Sequence, residues 1–137
     1  MDNKVIGCKG IHHVALHCSD FEKSYRFYTE GLGFRLFRRW KSGERTVALL
    51  DVGGDVYIEL FSNGKERTCF EEQSGQYVHL ALSVADTRAA FERAVTCGAR
   101  VRTEPKDVDI QSDPVLPVSI SFVYGPDGEV IEFFEVR

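Results

Sequence analysis

No stretch of this chain approaches the roughly 20 consecutive apolar residues that a membrane-crossing helix needs. The N-terminal residues, Met1 to Lys9, lack the apolar core of a secretory signal. Positive charge is in deficit, with a formal net charge of -4. That argues against a non-specific nucleic-acid binder, which must neutralise phosphates. The four cysteines, Cys8, Cys18, Cys69 and Cys97, form no CxxC pair, which argues against a cysteine zinc site. A cytoplasmic chain with free thiols is the simplest expectation.

What is present is an ordinary globular composition, 43% hydrophobic and 28% charged over 137 residues. One domain is expected over 1–137, built from a module at 10–62 and a module at 77–136, with a polar linker at 63–76. Basic residues gather at Arg35, Arg38, Arg39 and Lys41. They read either as a solvated strand edge or as a patch for an anionic substrate.

An internal repeat organises the chain. In GIHHVALHCSDFEKSYRFYTEGLGFRLF, an apolar strand carries His13 near its start and Asp20 after it. In YVHLALSVADTRAAFERAVTCGARVRT, His79 and Asp86 stand at the same mutual spacing. Aspartate is a favoured helix N-cap, because its carboxylate accepts from the unpaired N–H groups of the first turn. Helical apolar spacing follows each one: Phe21, Tyr25 and Tyr28, then Ala90, Phe91 and Val95. Gly31 and Gly98 are placed as helix stops. Strands resume at Phe34–Trp40 and Ala99–Thr103. Gly53-Gly54 predicts a hairpin between Thr46–Asp51 and Asp55–Phe61. Gly125-Pro126-Asp127-Gly128 predicts a turn between Ser119–Tyr124 and Glu129–Val136. Glu104–Pro117 reads as a long connection of the kind that forms lids or binding loops.

Each half thus contributes one early histidine and one late glutamate. Glu59 interrupts VYIELF and Glu132 interrupts VIEFFE. Strand alternation puts Tyr57, Glu59 and Phe61 on one face, and Val130, Glu132 and Phe134 on another. A carboxylate among apolar neighbours needs compensation. A divalent ion held by His13, Glu59, His79 and Glu132 supplies it, and such nitrogen and oxygen ligands suit nickel, cobalt, manganese or zinc. Alternation points His12 away from His13, with Val14 and Leu16, and puts His17 on the face of His13. Tyr57, Phe122 and Tyr124 are candidate pocket walls.

The segments IHHVALHCSDFEKSYRFYTEGLGF, VYIELF, YVHLALSVAD and YGPDGEVIEFFE resemble the vicinal oxygen chelate superfamily, which includes glyoxalase I, methylmalonyl-CoA epimerase, extradiol dioxygenases, fosfomycin-resistance enzymes and bleomycin-binding proteins. The resemblance implies an α+β fold of two βαβββ modules in a curved, barrel-like mixed sheet. It implies metal ligands at His13, Glu59, His79 and Glu132, and the His-Glu-His-Glu set looks like bacterial metal-dependent glyoxalase I (lactoylglutathione lyase). The arginine that this branch carries four residues after its first ligand, and uses to help hold glutathione, is His17 here. The asparagine four residues after the second ligand is kept as Asn63.

The implied chemistry is a lyase or isomerase reaction. Two vicinal oxygens chelate the ion, which stabilises an enediolate. Glu132 is the first choice of base, with Glu59 opposite. The implied substrate is a small molecule, such as the hemithioacetal of a 2-oxoaldehyde and a thiol. An epimerase, an extradiol-type dioxygenase and a non-catalytic binding protein are the alternatives. A homodimer is implied, with the site built within one chain or across two.

Overall fold

Asp20 and Asp86 open the two helices. Asp20 accepts from the backbone N–H of Lys23, and Asp86 from that of Ala89. Each cap is worth about 1 kcal/mol to its helix. The computed structural model describes residues 11–64 and 77–137. Met1 to Lys9, Cys8, Cys69 and the greater part of the linker, 65–76, lie outside the described residues.

The first module runs β1 (His13–His17), α1 (Phe21–Arg26), β2 (Arg35–Ser42), β3 (Arg45–Gly53) and β4 (Val56–Phe61). The second runs β5 (Leu80–Ser83), α2 (Thr87–Thr96), β6 (Arg100–Ile110), β7 (Leu116–Tyr124) and β8 (Val130–Val136). Each module folds as one four-stranded sheet. The orders are β1-β4-β3-β2 and β5-β8-β7-β6, so the repeat extends to strand order. In both sheets the first and last strands of the module pair in parallel and the other neighbours are antiparallel. This is the two-module α+β architecture that the resemblance implies.

Each helix covers one face of its own sheet. Leu50, Ile58 and Leu60 are buried on the helix side of the first module, and Val123, Ile131 and Phe133 on that of the second. The opposite faces carry no helix of their own module. They hold Glu59 and Glu132.

Two local expectations are corrected. The first helix does end at Gly31, but that glycine is not its left-handed stop. It continues beyond α1 as a π-turn over Phe27–Gly31, and Gly33, at φ 78°, takes the left-handed position. Gly31 is instead buried against Cys97, where a Cβ would crowd the Cys97 Cβ. Close packing, not a positive φ, occupies that glycine. Nor is Glu104–Pro117 a lid. Most of it belongs to β6 and β7, a long hairpin turning over 111–115. Pro105, which cannot donate to a ladder, lies within β6. It is accommodated because β6 is an edge strand and its register with β7 slips between Thr103 and Lys106.

A partly buried polar seam joins the modules. Asp127, in the turn before β8, accepts from the backbone N–H and the hydroxyl of Ser19 and from the Ser24 hydroxyl at 3.0 Å. The Tyr28 hydroxyl donates to Glu129 Oε1 at 2.6 Å. Arg93 of α2 returns the connection, donating to the carbonyls of Gly31 at 3.0 Å and Glu30 at 2.7 Å. Burial pushes the Tyr28 phenol well above its ordinary range, with the Glu129 charge adding to the effect. Burial likewise raises the Glu129 carboxyl above 4.5.

Two measurable consequences follow from this seam. A carboxyl raised on folding binds more protons native than unfolded between its two pKa values. Its contribution is therefore present below about pH 4.5 and is lost as pH rises through the folded value. Denaturant titrations across that window will show a falling component of stability, and Glu129→Gln will flatten it. Tyr28→Phe, which leaves a buried acceptor without its donor, will cost about 1–3 kcal/mol in the same titrations.

The second consequence concerns the buried Cys18 thiol, which desolvation pushes up to about 12. A thiol held protonated is a poor nucleophile. Wild type and Cys18→Ala will therefore react with the same number of equivalents of a thiol reagent while native. Denatured, wild type will react with one equivalent more than denatured Cys18→Ala.

Candidate functional site

Each module places one histidine beside one glutamate on its helix-free face. In the first, Ala15 is paired with Glu59, and His13 with Tyr57. In-register partners across a sheet share a face, so His13 and Glu59 lie on the same side. His13 Nε2 approaches Glu59 Oε2 to 3.5 Å. In the second, Ala81 is paired with Glu132, and His79 lies just before β5. His79 Nε2 approaches Glu132 Oε2 to 3.0 Å. The two glutamates thus occupy equivalent register positions, each opposite the alanine two residues after the histidine.

Both carboxylates are shielded from solvent. Their side chains are 15% and 9% exposed, against 43% for His13 and 35% for His79. Among the described residues, the polar neighbour of each carboxylate is an imidazole nitrogen. A carboxylate drawn out of water and given one imidazole is poorly compensated as it stands. Two nitrogen and two oxygen donors of this type fit a first-row divalent ion.

The four residues are not gathered at one point of the chain. Among the described residues there is no group of three or more His, Cys, Asp or Glu side chains placed to hold a metal ion together. Each sheet offers half of the expected set.

The remaining candidates fall around these pairs. His17 is paired with Phe61 and its ring lies 5.8 Å from the Phe61 ring, on the face of Glu59. Tyr57 lies 5.0 Å from Phe37 by ring centroid, also on that face. Phe122 is paired with Glu132 and meets the His79 ring edge-on at 5.7 Å. Tyr124 is paired with Val130, on the same face, under the Arg100 guanidinium at 5.2 Å. Asn63 is exposed just past β4, at φ 64°.

His12 corrects the sequence reading. Alternation sends it away from His13, yet its Nδ1 lies 2.9 Å from His13 Nδ1 and its ring 5.1 Å from Tyr57. The residue pairs of the ladder begin at His13; the His12 carbonyl still accepts from the Tyr57 N–H at 2.9 Å, but its side chain, at the strand's end, turns toward His13 and Tyr57. His12 is thus a third imidazole beside the first pair.

The structure also sorts the basic cluster. Arg35 pairs with Asp51 at 2.6 Å, Arg39 pairs with Glu22 at 2.6 Å on the helix side, and Lys41 donates to Thr46. Arg38 is different. Its guanidinium lies 4.2 Å from the Phe37 ring centre.

The family model described as the Glyoxalase/Bleomycin resistance protein/Dioxygenase superfamily matches residues 10–133. The chain belongs to this superfamily. Among its relatives, the uncharacterized protein YwkD of Bacillus subtilis is 36% identical over 131 residues, covering 93% of this chain and 97% of that one. The lactoylglutathione lyase of Salmonella typhimurium is 32% identical over 130 residues, covering 91% of each. The crystal structure of a glyoxalase family protein from Enterococcus faecalis superposes with a TM-score of 0.75 at 26% identity, covering 93% of this chain and 98% of that one. Membership accounts for the strand order and the duplicated modules. Among the described residues, no helix of this superfamily member is long and apolar enough to cross a membrane.

Proposed function

We propose that this chain is a metal-dependent lyase or isomerase of the glyoxalase I type, acting on a small molecule with oxygens on adjacent carbons. One observation supports the reading above others. Each module presents a histidine nitrogen within 3.5 Å of a shielded glutamate, at equivalent register in two sheets. His13, Glu59, His79 and Glu132 would hold the ion, and their donor chemistry suits nickel, cobalt, zinc or manganese. When bound, it supplies Lewis acidity toward the two vicinal oxygens.

The protein's own groups then handle the proton. Glu132 is the more shielded carboxylate and stands beside Phe122, so it takes the proton from the carbon next to the chelated oxygens. Glu132 then carries that proton and would return it itself. Glu59, brought opposite when the two pairs meet, would deliver a proton from the other side only by entering the cycle protonated, the two carboxyls being reset by exchange with solvent. Return to the adjacent carbon converts the hemithioacetal of a 2-oxoaldehyde into a 2-hydroxyacyl thioester. Return to the same carbon from the other side is epimerisation. Tyr57, Phe122 and Tyr124 wall off water, while His17 and Asn63 border the thiol end.

A homodimer completes the site. The two pairs face outward from separate sheets, and apolar residues border them in the single chain. Phe37 and Trp40 are 42% and 41% exposed, and Tyr77 and Val78, just before His79, are 94% and 72% exposed. Exposed apolar surface of this kind marks an interface. A second copy laid across both faces joins the first pair of one chain to the second pair of the other.

Elemental analysis of native protein, followed by turnover of the methylglyoxal–glutathione hemithioacetal against methylmalonyl-CoA, tests the reading. About one ion per chain and turnover of the hemithioacetal are expected. Protein without a stoichiometric ion, whose melting temperature does not rise on adding any of the four metals, sinks it.

A further inference from the structure

We propose that Arg38 and Arg102 form an anion-recognition pair in the same site, and that its substrate carries a carboxylate or phosphate a few bonds from the vicinal oxygens. This rests on the two-module metal reading above.

The first observation is one of register. Glu59 is paired with Leu49 on β3, and Leu49 with Arg38 on β2. The three share a face, so Arg38 stands two strands from Glu59, roughly 10 Å at the backbone. In the second module Glu132 is paired with Phe122 on β7, and Phe122 with Thr103 on β6. Arg102 precedes Thr103, and its guanidinium lies 5.7 Å from the Phe122 ring centre and 5.8 Å from that of Tyr124. It therefore also lies on the glutamate face, two strands away.

The second observation is that both arginines sit at a break in the ladder. The β2–β3 register slips between Leu36 and Arg38, and the β6–β7 register slips between Val101 and Thr103. A bulge adds a residue and re-aims side chains, a device frequent beside active sites. The repeat thus duplicates the bulge, with Phe37 out of register just before Arg38 in the first module and Arg102 itself out of register in the second.

The third observation is their pairing. Arg35, Arg39, Arg88 and Arg137 each meet a carboxylate. Arg38 and Arg102 meet none among the described residues; each lies over an aromatic ring. Arg38 Nη1 donates to the Phe37 carbonyl at 2.7 Å, which fixes the guanidinium over the ring and leaves its other N–H donors for a ligand; such a group suits the paired oxygens of a carboxylate or phosphate. Were the two pairs brought together across two copies, the arginines would approach the ion from opposite modules.

Three probes test this on the full chain loaded with nickel: catechol, the same ring with a propionate tail, and the same ring with a methylphosphonate tail. Calorimetry is expected to give about ten-fold tighter binding for a tailed probe than for catechol. The better tail tells carboxylate from phosphate. Arg38→Gln and Arg102→Gln should each remove most of that gain, leaving nickel content, melting temperature and the catechol Kd unchanged. Arg38→Lys should restore part of it. Equal affinity for all three probes in the wild type overturns the proposal, as does a variant that weakens catechol as much as the tailed probes. Protein that retains no nickel and binds no probe overturns the metal reading, and this one with it.

Discussion

Two inactive variants of this protein, unfolded and refolded together, are expected to regain activity. One carries His13→Ala with Glu59→Ala, and the other His79→Ala with Glu132→Ala. Each alone has lost one of the two His–Glu pairs, so each homodimer holds only incomplete sites. The mixed dimer is different when sites form across copies. One site combines both damaged modules, and the other combines both intact ones. Random assortment makes half of the dimers mixed, so about one quarter of wild-type turnover is expected. A site confined to one chain predicts no recovery, because every chain then carries a damaged module. The expectation follows from the separation of His13 and Glu59 from His79 and Glu132 on two sheets, with no cluster of three such ligands among the described residues.

Glu132→Gln should lower turnover of the preferred substrate by about 10²–10⁴-fold, the usual contribution of a placed proton acceptor. The amide keeps the shape of the side chain, so melting of the metal-free protein should change little. Glu132→Ala should go further and remove the bound ion. In wild type, an ion present at a thousand times its Kd adds about 4 kcal/mol to stability. That increment should be absent in Glu132→Ala when melting is followed with and without nickel. Shielding is the physical basis: Glu132 has a 9% exposed side chain and His79 as its polar neighbour. A Glu132→Ala protein that binds the ion and turns over normally would exclude this residue from both roles.

Much of the architecture was legible because it rests on short-range rules. Asp20 and Asp86 announce the helices, since an N-cap acts on the next turn alone. Gly53-Gly54 announces the β3–β4 hairpin, with both glycines at positive φ. Glu59 and Glu132 stand out because a charge in an apolar strand is costly wherever the strand lies. The errors arose where longer-range packing overrode a local signal. Gly31 looked like a left-handed helix stop, but Cys97 needs the space. Glu104–Pro117 looked like a long connection, but most of it pairs as the β6–β7 hairpin. His12 looked averted, but the strand starts one residue later.

By itself, the sequence determined the two-module plan, the helices and the polar residues that interrupt the strands. These depend on periodicity and capping, which neighbouring residues decide. Only the tertiary structure decided that His13 meets Glu59 and His79 meets Glu132 on separate sheets, that buried Tyr28 meets Glu129 in the seam, and that Arg38 escapes the pairing that occupies Arg35 and Arg39. Strand register and bulges control those outcomes. They depend on partners distant in the chain, whose identity no local pattern records.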